Sequence, residues 1–315
     1  MLFRSAPGRQ NQKSSTARAA AGSVLSLDIA HPVGRLEQRL HQAHLQVVGQ
    51  LHVLHGQRHA AHPLVALAGA DFERQVARRA DLCTFVSEAE AQLFRTASGL
   101  GQGKIQALEN GVKLDFFDPD ADFALLSAEE RGAGPLMVFT GQMDYRPNVE
   151  AVDSFACEVM PQILARHPDA RFAIVGRNPT PQVQGLADLP GVIVTGGVPD
   201  VRPWLAAADV VVAPLRIARG IQNKVLEAMA MARPVVASAQ AAEGIDAVED
   251  RDFLVADGVD REAEMVLALL DDPQRANAIG AAARDRMVAR YGWDAVLSGL
   301  PSLIGGSTAQ DMQAA

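Results

Sequence analysis

The residues best suited to chemistry are a lysine and a glutamate on one predicted helix, Lys224 and Glu227, which follow Gly220 in the stretch Arg216–Ser238. The helix ends before Pro234 and a β-branched strand. An ammonium group beside the free N–H groups of a helix start suits a diphosphate. A carboxylate one turn further on suits the hydroxyls of a ribose or another sugar diol. Taken alone, two opposite charges three positions apart are also typical of a surface ion pair.

These groups need a sheet to position them, and strand and helix patterns alternate from about Pro135 onward. Short, uncharged strands that alternate with helices indicate a parallel sheet covered on both faces, with ligands at the carboxyl ends of its strands. Gly141, Gly176, Gly196 and Pro214 follow predicted strands directly, so we expect them at that edge. The predicted strands are 136–140, 171–175, 191–195, 209–213, 234–237 and 253–256.

The predicted helices include one capped by Asn148 that continues through Ile163, because apolar residues recur there at helical spacing. Further helices are predicted at 222–231, 260–270 and 273–291. Residues 135–292 are therefore predicted to form one Rossmann-like domain, followed by a tail at 293–315. Residues 71–118 show a similar but shorter pattern, with strands at 82–86 and 104–108 and with Ser87 capping a helix. Residues 119–134 are interpreted as a linker.

Residues 1–70 do not continue this pattern. They carry seven Lys and Arg against two acidic residues and hold seven of the eight histidines, whereas the remaining 245 residues have a net charge of −13. Our hypothesis is that this segment is truncated, divergent or translated from a shifted frame. Its three His-x-x-His pairs could hold a metal, but no cysteine or nearby carboxylate completes a shell, which favours an accident of composition. They are His41/His44, His52/His55 and His59/His62.

The composition excludes several classes of protein. With 48% hydrophobic and 21% charged residues, the chain is typical of soluble globular proteins. No apolar run approaches the ~20 residues that span a bilayer. The acidic body argues against nucleic acid as a partner. The two cysteines, Cys83 and Cys157, have apolar neighbours, so both are predicted in the core and a cytoplasmic location is expected. Gly99, Gly101 and Gly103 follow a helix rather than a strand and are interpreted as a turn.

Several motifs in order resemble one enzyme family. GQMDYRPN at Gly141–Asn148, IVGRNP at Ile174–Pro179, GIQNKVLEAMAMARPVVAS from Gly220 and AAEGI at Ala241–Ile245 resemble glycosyltransferase family 4, and most closely the sugar transferases associated with exosortase-linked exopolysaccharide clusters. The NGVKLDFFDP segment at Asn110–Pro119 is similar to the family's crossover between domains. The resemblance implies a GT-B fold: two Rossmann-like domains with parallel sheets and a cleft between them, here with a truncated or degenerate first domain.

The resemblance also implies roles for individual residues. Lys224 and Glu227 would carry catalysis, the first at the diphosphate and the second at the ribose hydroxyls. Arg146 would reach the phosphates, and Val198 would lie beside the base. Glu243 and its neighbours would border the sugar or a phosphate. The substrate-binding residues implied in this way are Gly141, Arg146, Gly176, Val198, Gly220, Asn223, Lys224, Glu227, Glu243, Gly244 and Ile245.

The implied function is transfer of a sugar, with retention, from a UDP- or GDP-type donor to a glycan or polyprenyl-linked acceptor in exopolysaccharide biosynthesis. Neither cofactor nor metal is implied, and peripheral membrane association is compatible with the acceptor. One departure is Arg219, which stands where many members have a second glutamate. Two alternatives stay open: an enzyme like the UDP-N-acetylglucosamine epimerases, and a non-catalytic or defective protein that only binds a nucleotide sugar.

Overall fold

The computed structural model describes residues 73–218 and 220–300 of the chain. It contains two compact units: the first consists of the residues up to Leu108 and those from Leu300 onward, and the second comprises Glu109–Gly299. The predictions made for residues 1–70, the histidine pairs among them, lie outside the described residues, as do Arg219 and residues 301–315.

The described part of the first unit is a small α/β segment. Residues 73–79 form helix α1, and two parallel strands flank helix α2. Ser87 caps α2 by accepting a hydrogen bond from the Glu90 amide at 3.2 Å, as the sequence predicted. Cys83, Ala91 and Ile105 pack in a small core between them. The elements are β1 (Cys83–Phe85), α2 (Glu88–Ser98) and β2 (Ile105–Ala107).

The second unit is built on a six-stranded parallel sheet with the order β5-β4-β3-β6-β7-β8. Every residue of β3 and β6 is buried, as expected where helices cover both faces of a sheet. This confirms the predicted parallel α/β architecture. The strands are β3 (Leu136–Thr140), β4 (Arg171–Val175), β5 (Val192–Gly196), β6 (Val210–Ala213), β7 (Val235–Ala237) and β8 (Leu254–Val255).

Helices precede, connect and follow the strands of this sheet. They are α3 (Ala128–Arg131), α4 (Arg146–Ser154), α5 (Met160–Arg166), α6 (Pro181–Gly185), α7 (Arg202–Ala207), α8 (Asn223–Ala230), α9 (Ala239–Ala242), α10 (Val259–Asp271), α11 (Pro273–Arg290) and α12 (Trp293–Leu297). No helix among the described residues has both the length and the apolar character required to cross a membrane.

The long helix predicted from Asn148 to Ile163 is wrong in two respects. A π-helical segment, Phe155–Val159, separates α4 from α5. The prediction that Asn148 caps the helix is also wrong, because Tyr145 precedes the first helical residue and Asn148 is the third residue of α4. The reason lies in Pro147, whose fixed φ angle and missing N–H suit the first turn of a helix.

One of the two cysteine predictions is wrong. Cys83 is buried as predicted, but Cys157 is exposed. Cys157 does not share the helical spacing of the buried residues around it, so it lies off their apolar stripe. Phe155, Ala156 and Val159 remain buried while Cys157 faces outward.

The segment that follows the first unit packs along the end of the second. The Val112 amide donates to the Tyr291 carbonyl at 2.7 Å, and Glu109 forms an ion pair with Arg290 at 2.7 Å. A side chain at Gly111 would overlap the Trp293 ring, so the two segments are in close contact. Residues 109–134 and α12 thus belong to the second unit, together with the sheet.

Candidate functional site

The strand order places a switch point between β3 and β6. Chains leave these two neighbouring strands toward opposite sides of the sheet, which opens a crevice at their carboxyl ends. Gly141 directly follows β3, and α8 is the first helix after β6. The predicted lysine–glutamate helix therefore begins where such a fold binds its ligands.

Two glycines shape the edge of this crevice. The Gly141 amide donates to the Val175 carbonyl at 3.0 Å, which ties the turn after β3 to the end of β4. A Cβ atom at Gly176 would overlap the Gly141 carbonyl oxygen. Gly176 is thus required for the close approach of two backbone segments, which accounts for a glycine there without any ligand contact.

Helix α8 begins in a turn that Gly220 makes with φ of 64°. The Gln222 side chain donates to the Gly220 carbonyl at 3.0 Å and supplies no side-chain cap to the helix in the described structure. The first residue of α8 is Asn223. Its side-chain oxygen Oδ1 accepts a hydrogen bond from the side-chain Nδ2 of the buried Asn110 at 2.8 Å. The start of α8 is thereby fixed to the segment that enters the second unit.

The Lys224 ammonium group lies beside the turn after β3. Its Nζ donates to Asn148 Oδ1 at 2.6 Å and lies 4.0 Å from the centre of the Phe139 ring. A Cβ atom on Gly141 would be 3.1 Å from Nζ, so the absence of a side chain there leaves the ammonium next to the backbone. The structure therefore brings together Gly141 and Lys224, which the sequence predicted in one site.

The two ionisable side chains of α8 both have pKa values close to 7. Burial lowers the pKa of Lys224 to about 7, although attraction to Glu227 opposes the shift. Burial likewise raises the pKa of Glu227 to about 7, against the opposing effect of Lys224. Among the described residues Lys224 forms no ion pair within 4.0 Å, so the surface ion pair considered from spacing alone is not formed.

The turn after α9 contacts the start of α8. Gly244 has φ of 81°, and a Cβ atom there would lie 3.7 Å from the Ile221 side chain. Glu243 is exposed and Ile245 is buried. This packing places the predicted residues 243–245 next to Ile221, just before the start of α8.

Two other predicted residues make different contacts in the described structure. Arg146 is the first residue of α4, and its largely exposed side chain pairs with Glu150 at 2.6 Å. Val198 follows the Gly196–Gly197 turn after β5 and packs partly against the core. Their roles at a phosphate and at a base stay predictions.

The sequence motifs did not reveal Asn148 as a partner of the lysine. It is buried at 6% exposure, and its Nδ2 donates to the Gln142 carbonyl at 2.9 Å. The signal that could have revealed it is Pro147, since a proline in the first helical turn places the next residue inside the helix. No sequence signal marks Asn110 as the partner of Asn223.

This arrangement can hold an anion and a diol side by side. The anion would face the Lys224 ammonium and the N–H groups at the start of α8, where the helix dipole also favours negative charge. Glu227, once ionised, can accept hydrogen bonds from hydroxyls. Among residues 73–218 and 220–300, no group of His, Cys, Asp and Glu is arranged to hold a metal ion.

Comparison with known proteins identifies the family of this domain. Residues 134–272 match the family model described as glycosyl transferases group 1. A GDP-mannose-dependent alpha-(1-6)-phosphatidylinositol monomannoside mannosyltransferase of Mycolicibacterium smegmatis is 30% identical over 250 residues, which cover 74% of this chain and 64% of that protein. The monoacylated-substrate counterpart of Corynebacterium glutamicum is 28% identical over 70% of this chain and 61% of its own length. The chain thus spans less than two thirds of the length of these curated relatives.

Solved structures share the fold at lower identity. Anabaena Alr3699/HepE in complex with UDP and glucose has a TM-score of 0.62 at 14% identity, over 76% of this chain and 67% of that one. Sucrose-phosphate synthase from Thermosynechococcus elongatus has a TM-score of 0.61 at 24% identity, over 78% and 62% of the two chains. The chain therefore has a GT-B fold, and its residues 134–272 match the family model of the glycosyl transferases group 1.

Proposed function

We propose that the protein is a glycosyltransferase that takes a sugar from a nucleotide diphosphate donor bound at α8. The observation that carries the proposal is the Lys224 ammonium, fixed at the switch point beside the Gly141 backbone. The diphosphate would lie against this cation and the start of α8. Glu227, one turn on, would accept hydrogen bonds from the ribose hydroxyls. Glu243 to Ile245 would border the sugar.

In the proposed reaction the bond between the anomeric carbon and the diphosphate oxygen breaks as a bond to an acceptor hydroxyl oxygen forms. The leaving diphosphate gains negative charge, which Lys224 and the helix N–H groups stabilise. The hydroxyl proton passes to a base on the acceptor side or to solvent. Retention of configuration is part of the proposal by family resemblance.

The named relatives suggest which substrates to examine first. They are GDP-mannose-dependent enzymes that act on phosphatidylinositol mannosides. We include GDP-mannose among the donors, and we propose a glycan or lipid-linked acceptor at the cytoplasmic face of a membrane to which the protein binds peripherally. A role in exopolysaccharide synthesis is supported by the motif resemblance of GQMDYRPN and GIQNKVLE.

The experiment measures donor binding and turnover together on the full chain. GDP-mannose, UDP-glucose and UDP-N-acetylglucosamine are titrated by calorimetry, and GDP or UDP release is followed with polyprenyl phosphate, phosphatidylinositol mannoside and oligosaccharide acceptors. Binding with acceptor-dependent release supports a transferase. Binding with neither release nor conversion of the donor supports the non-catalytic alternative. Conversion of UDP-N-acetylglucosamine to its N-acetylmannosamine epimer without any acceptor supports an epimerase. Failure to bind any of the three donors would overturn the donor site.

A further inference from the structure

Among residues 73–218 and 220–300, none places a negative charge at contact distance from the Lys224 ammonium group. Its neighbours are the Asn148 amide oxygen at 2.6 Å, the face of the Phe139 ring at 4.0 Å and the Gly141 backbone. Within the part of the chain that the structure describes, Glu227 acts on Lys224 only by attraction over a longer distance. Neutral groups thus fix the cation without cancelling its charge.

The orientation of Asn148 is itself determined by a second contact. Its Nδ2 donates to the Gln142 carbonyl at 2.9 Å, so its Oδ1 is directed at Lys224. The side chain is buried at 6% exposure in the first turn of α4. A buried amide with both ends bonded to different segments is held in one rotamer. It therefore links the turn after β3 to the first turn of α8.

We propose that Asn148 is a positioning residue, which holds the Lys224 ammonium at the Gly141 backbone and leaves its positive charge available to the donor diphosphate. The inference rests on the proposed function, because it takes the anion to be a diphosphate. An ammonium group has three N–H donors, and Asn148 uses one of them. The others remain to be shared with phosphate oxygens.

The uncharged nature of Asn148 is central to this role. A carboxylate in the same place would also hold the lysine, but it would neutralise the cation and repel a diphosphate. An aliphatic side chain of similar size would neither hold the lysine nor repel a diphosphate. Asn148→Asp and Asn148→Leu should therefore displace the titration of Lys224 in opposite directions, and both should weaken binding of a diphosphate.

The first test observes the lysine without any nucleotide. The chain contains four lysines, so ¹³C labelling of lysine gives few signals, and the Lys224→Arg variant identifies one of them. In the unaltered protein this signal titrates near pH 7, in keeping with the pKa of about 7. Asn148→Asp raises the midpoint, because it adds a negative charge, and Asn148→Leu lowers it, because the hydrogen bond to the charged form is lost. The control Asn277→Leu, at an exposed asparagine of α11, leaves the titration midpoint of Lys224 unchanged.

The second test measures GDP and UDP binding by calorimetry between pH 6 and 9. Both Asn148 variants are expected to bind about tenfold or more weakly at pH 7. Asn148→Leu does so because Lys224 loses the hydrogen bond that positions it, and Asn148→Asp because its carboxylate neutralises the cation and repels the diphosphate. The pH midpoint of binding moves up in Asn148→Asp and down in Asn148→Leu. The exposed Lys113→Ala variant retains the affinity of the unaltered chain.

The outcomes separate this inference from the function on which it rests. Shifts of the Lys224 titration in one common direction, or affinities equal to that of the unaltered chain, overturn the positioning role. Opposite shifts in a protein that binds neither GDP nor UDP overturn the proposed function while the contact between Asn148 and Lys224 stands. If Asn148→Leu fails to fold, Asn148→Asp decides: a raised midpoint with weaker GDP binding supports the role, and an unchanged midpoint overturns it.

Discussion

At the scale of single residues, the candidate site depends on a lysine and a glutamate that share one short helix. Each is half-buried, and burial moves the pKa of each to about 7. A bound diphosphate would raise the pKa of Lys224, because it favours the charged form. Binding should therefore take up a proton at pH values above 7, which calorimetry in two buffers of different ionisation enthalpy can detect.

Removal of the cation is the most direct change at this scale. We expect Lys224→Ala to weaken binding of the donor nucleotide more than about tenfold, since it removes a charge-assisted contact to the phosphates. Lys113→Ala is the matched control, because that lysine is exposed and pairs with the likewise exposed Asp115 at 3.7 Å. Equal affinities of Lys224→Ala and the unaltered chain would rule out the assigned phosphate site.

A second buried carboxyl group, Glu262 on α10, should make stability depend on pH. Burial raises its pKa from 4.5 to about 7; Arg216 opposes the shift, while Asp257 and Glu158 reinforce it. The folded state therefore favours the protonated form, and the stability contributed by this group falls as pH rises from about 4.5 to about 7.

Glu262→Gln keeps a neutral group of the same shape and removes this dependence. We expect the variant to match the unaltered chain at pH 4.5 and to exceed its free energy of unfolding by about 1–3 kcal/mol at pH 8. Urea denaturation at the two pH values measures the difference. Glu264→Gln, on the same helix but exposed and paired with Arg261, should show no such change. A gain that is independent of pH would contradict the assignment.

At the scale of elements, the ends of β3 and β4 are held together through Gly176. Because a Cβ atom there would overlap the Gly141 carbonyl oxygen, Gly176→Ala must displace the turn that lies beside Lys224. We expect a loss of about 1–3 kcal/mol in stability together with weaker donor binding. The control is Gly185→Ala at the end of α6, where an added Cβ meets no atom within 4 Å and stability is retained. Denaturant unfolding of both variants measures the loss of stability, and nucleotide titration of both measures the loss of donor binding.

The π segment between α4 and α5 leads to a prediction about thiol reactivity. Cys157 is exposed and Cys83 is buried, so a disulfide reagent should modify one thiol in the native protein and the second only on unfolding. Burial and the nearby Asp153 and Glu158 raise the pKa of Cys157, so the reaction should accelerate toward alkaline pH. Cys157→Ser should abolish the native reaction. A thiol reaction that persists in the native form of this variant would show that Cys83 is accessible and would contradict its burial.

The strands and helices also show how much of the fold could be predicted from the sequence. Apolar runs that alternate with helical periodicity predicted the parallel sheet. Strands buried on both faces consist almost entirely of apolar residues, so they can be recognised in the sequence. The site helix was predicted because its charged residues follow a glycine turn. Asn148 was not, since its partners, Gln142 and Lys224, meet it only after folding. The π segment was missed as well, because the apolar spacing around it continues to fit a regular helix.

At the scale of the whole molecule, every contact described for the site lies within one compact unit. Asn110, Asn148 and Lys224 all fall in Glu109–Gly299, which holds the six-stranded sheet and its core. The entering segment is bound along α11 and α12 through Val112, Tyr291 and the Glu109–Arg290 pair. The unit therefore has its own core, its own site and a fixed beginning and end.

We expect residues 109–300, produced alone, to fold and to bind the donor nucleotide with the affinity of the full chain. A core of this size supports independent folding, and the binding groups are all present in the fragment. Sugar transfer should be lost, because by family resemblance the acceptor groups belong to the first domain. Calorimetry with GDP and UDP, a single cooperative unfolding transition and a transfer assay test the three statements. A folded fragment that binds neither nucleotide, beside a full chain that does, would show that donor binding needs groups outside the second unit.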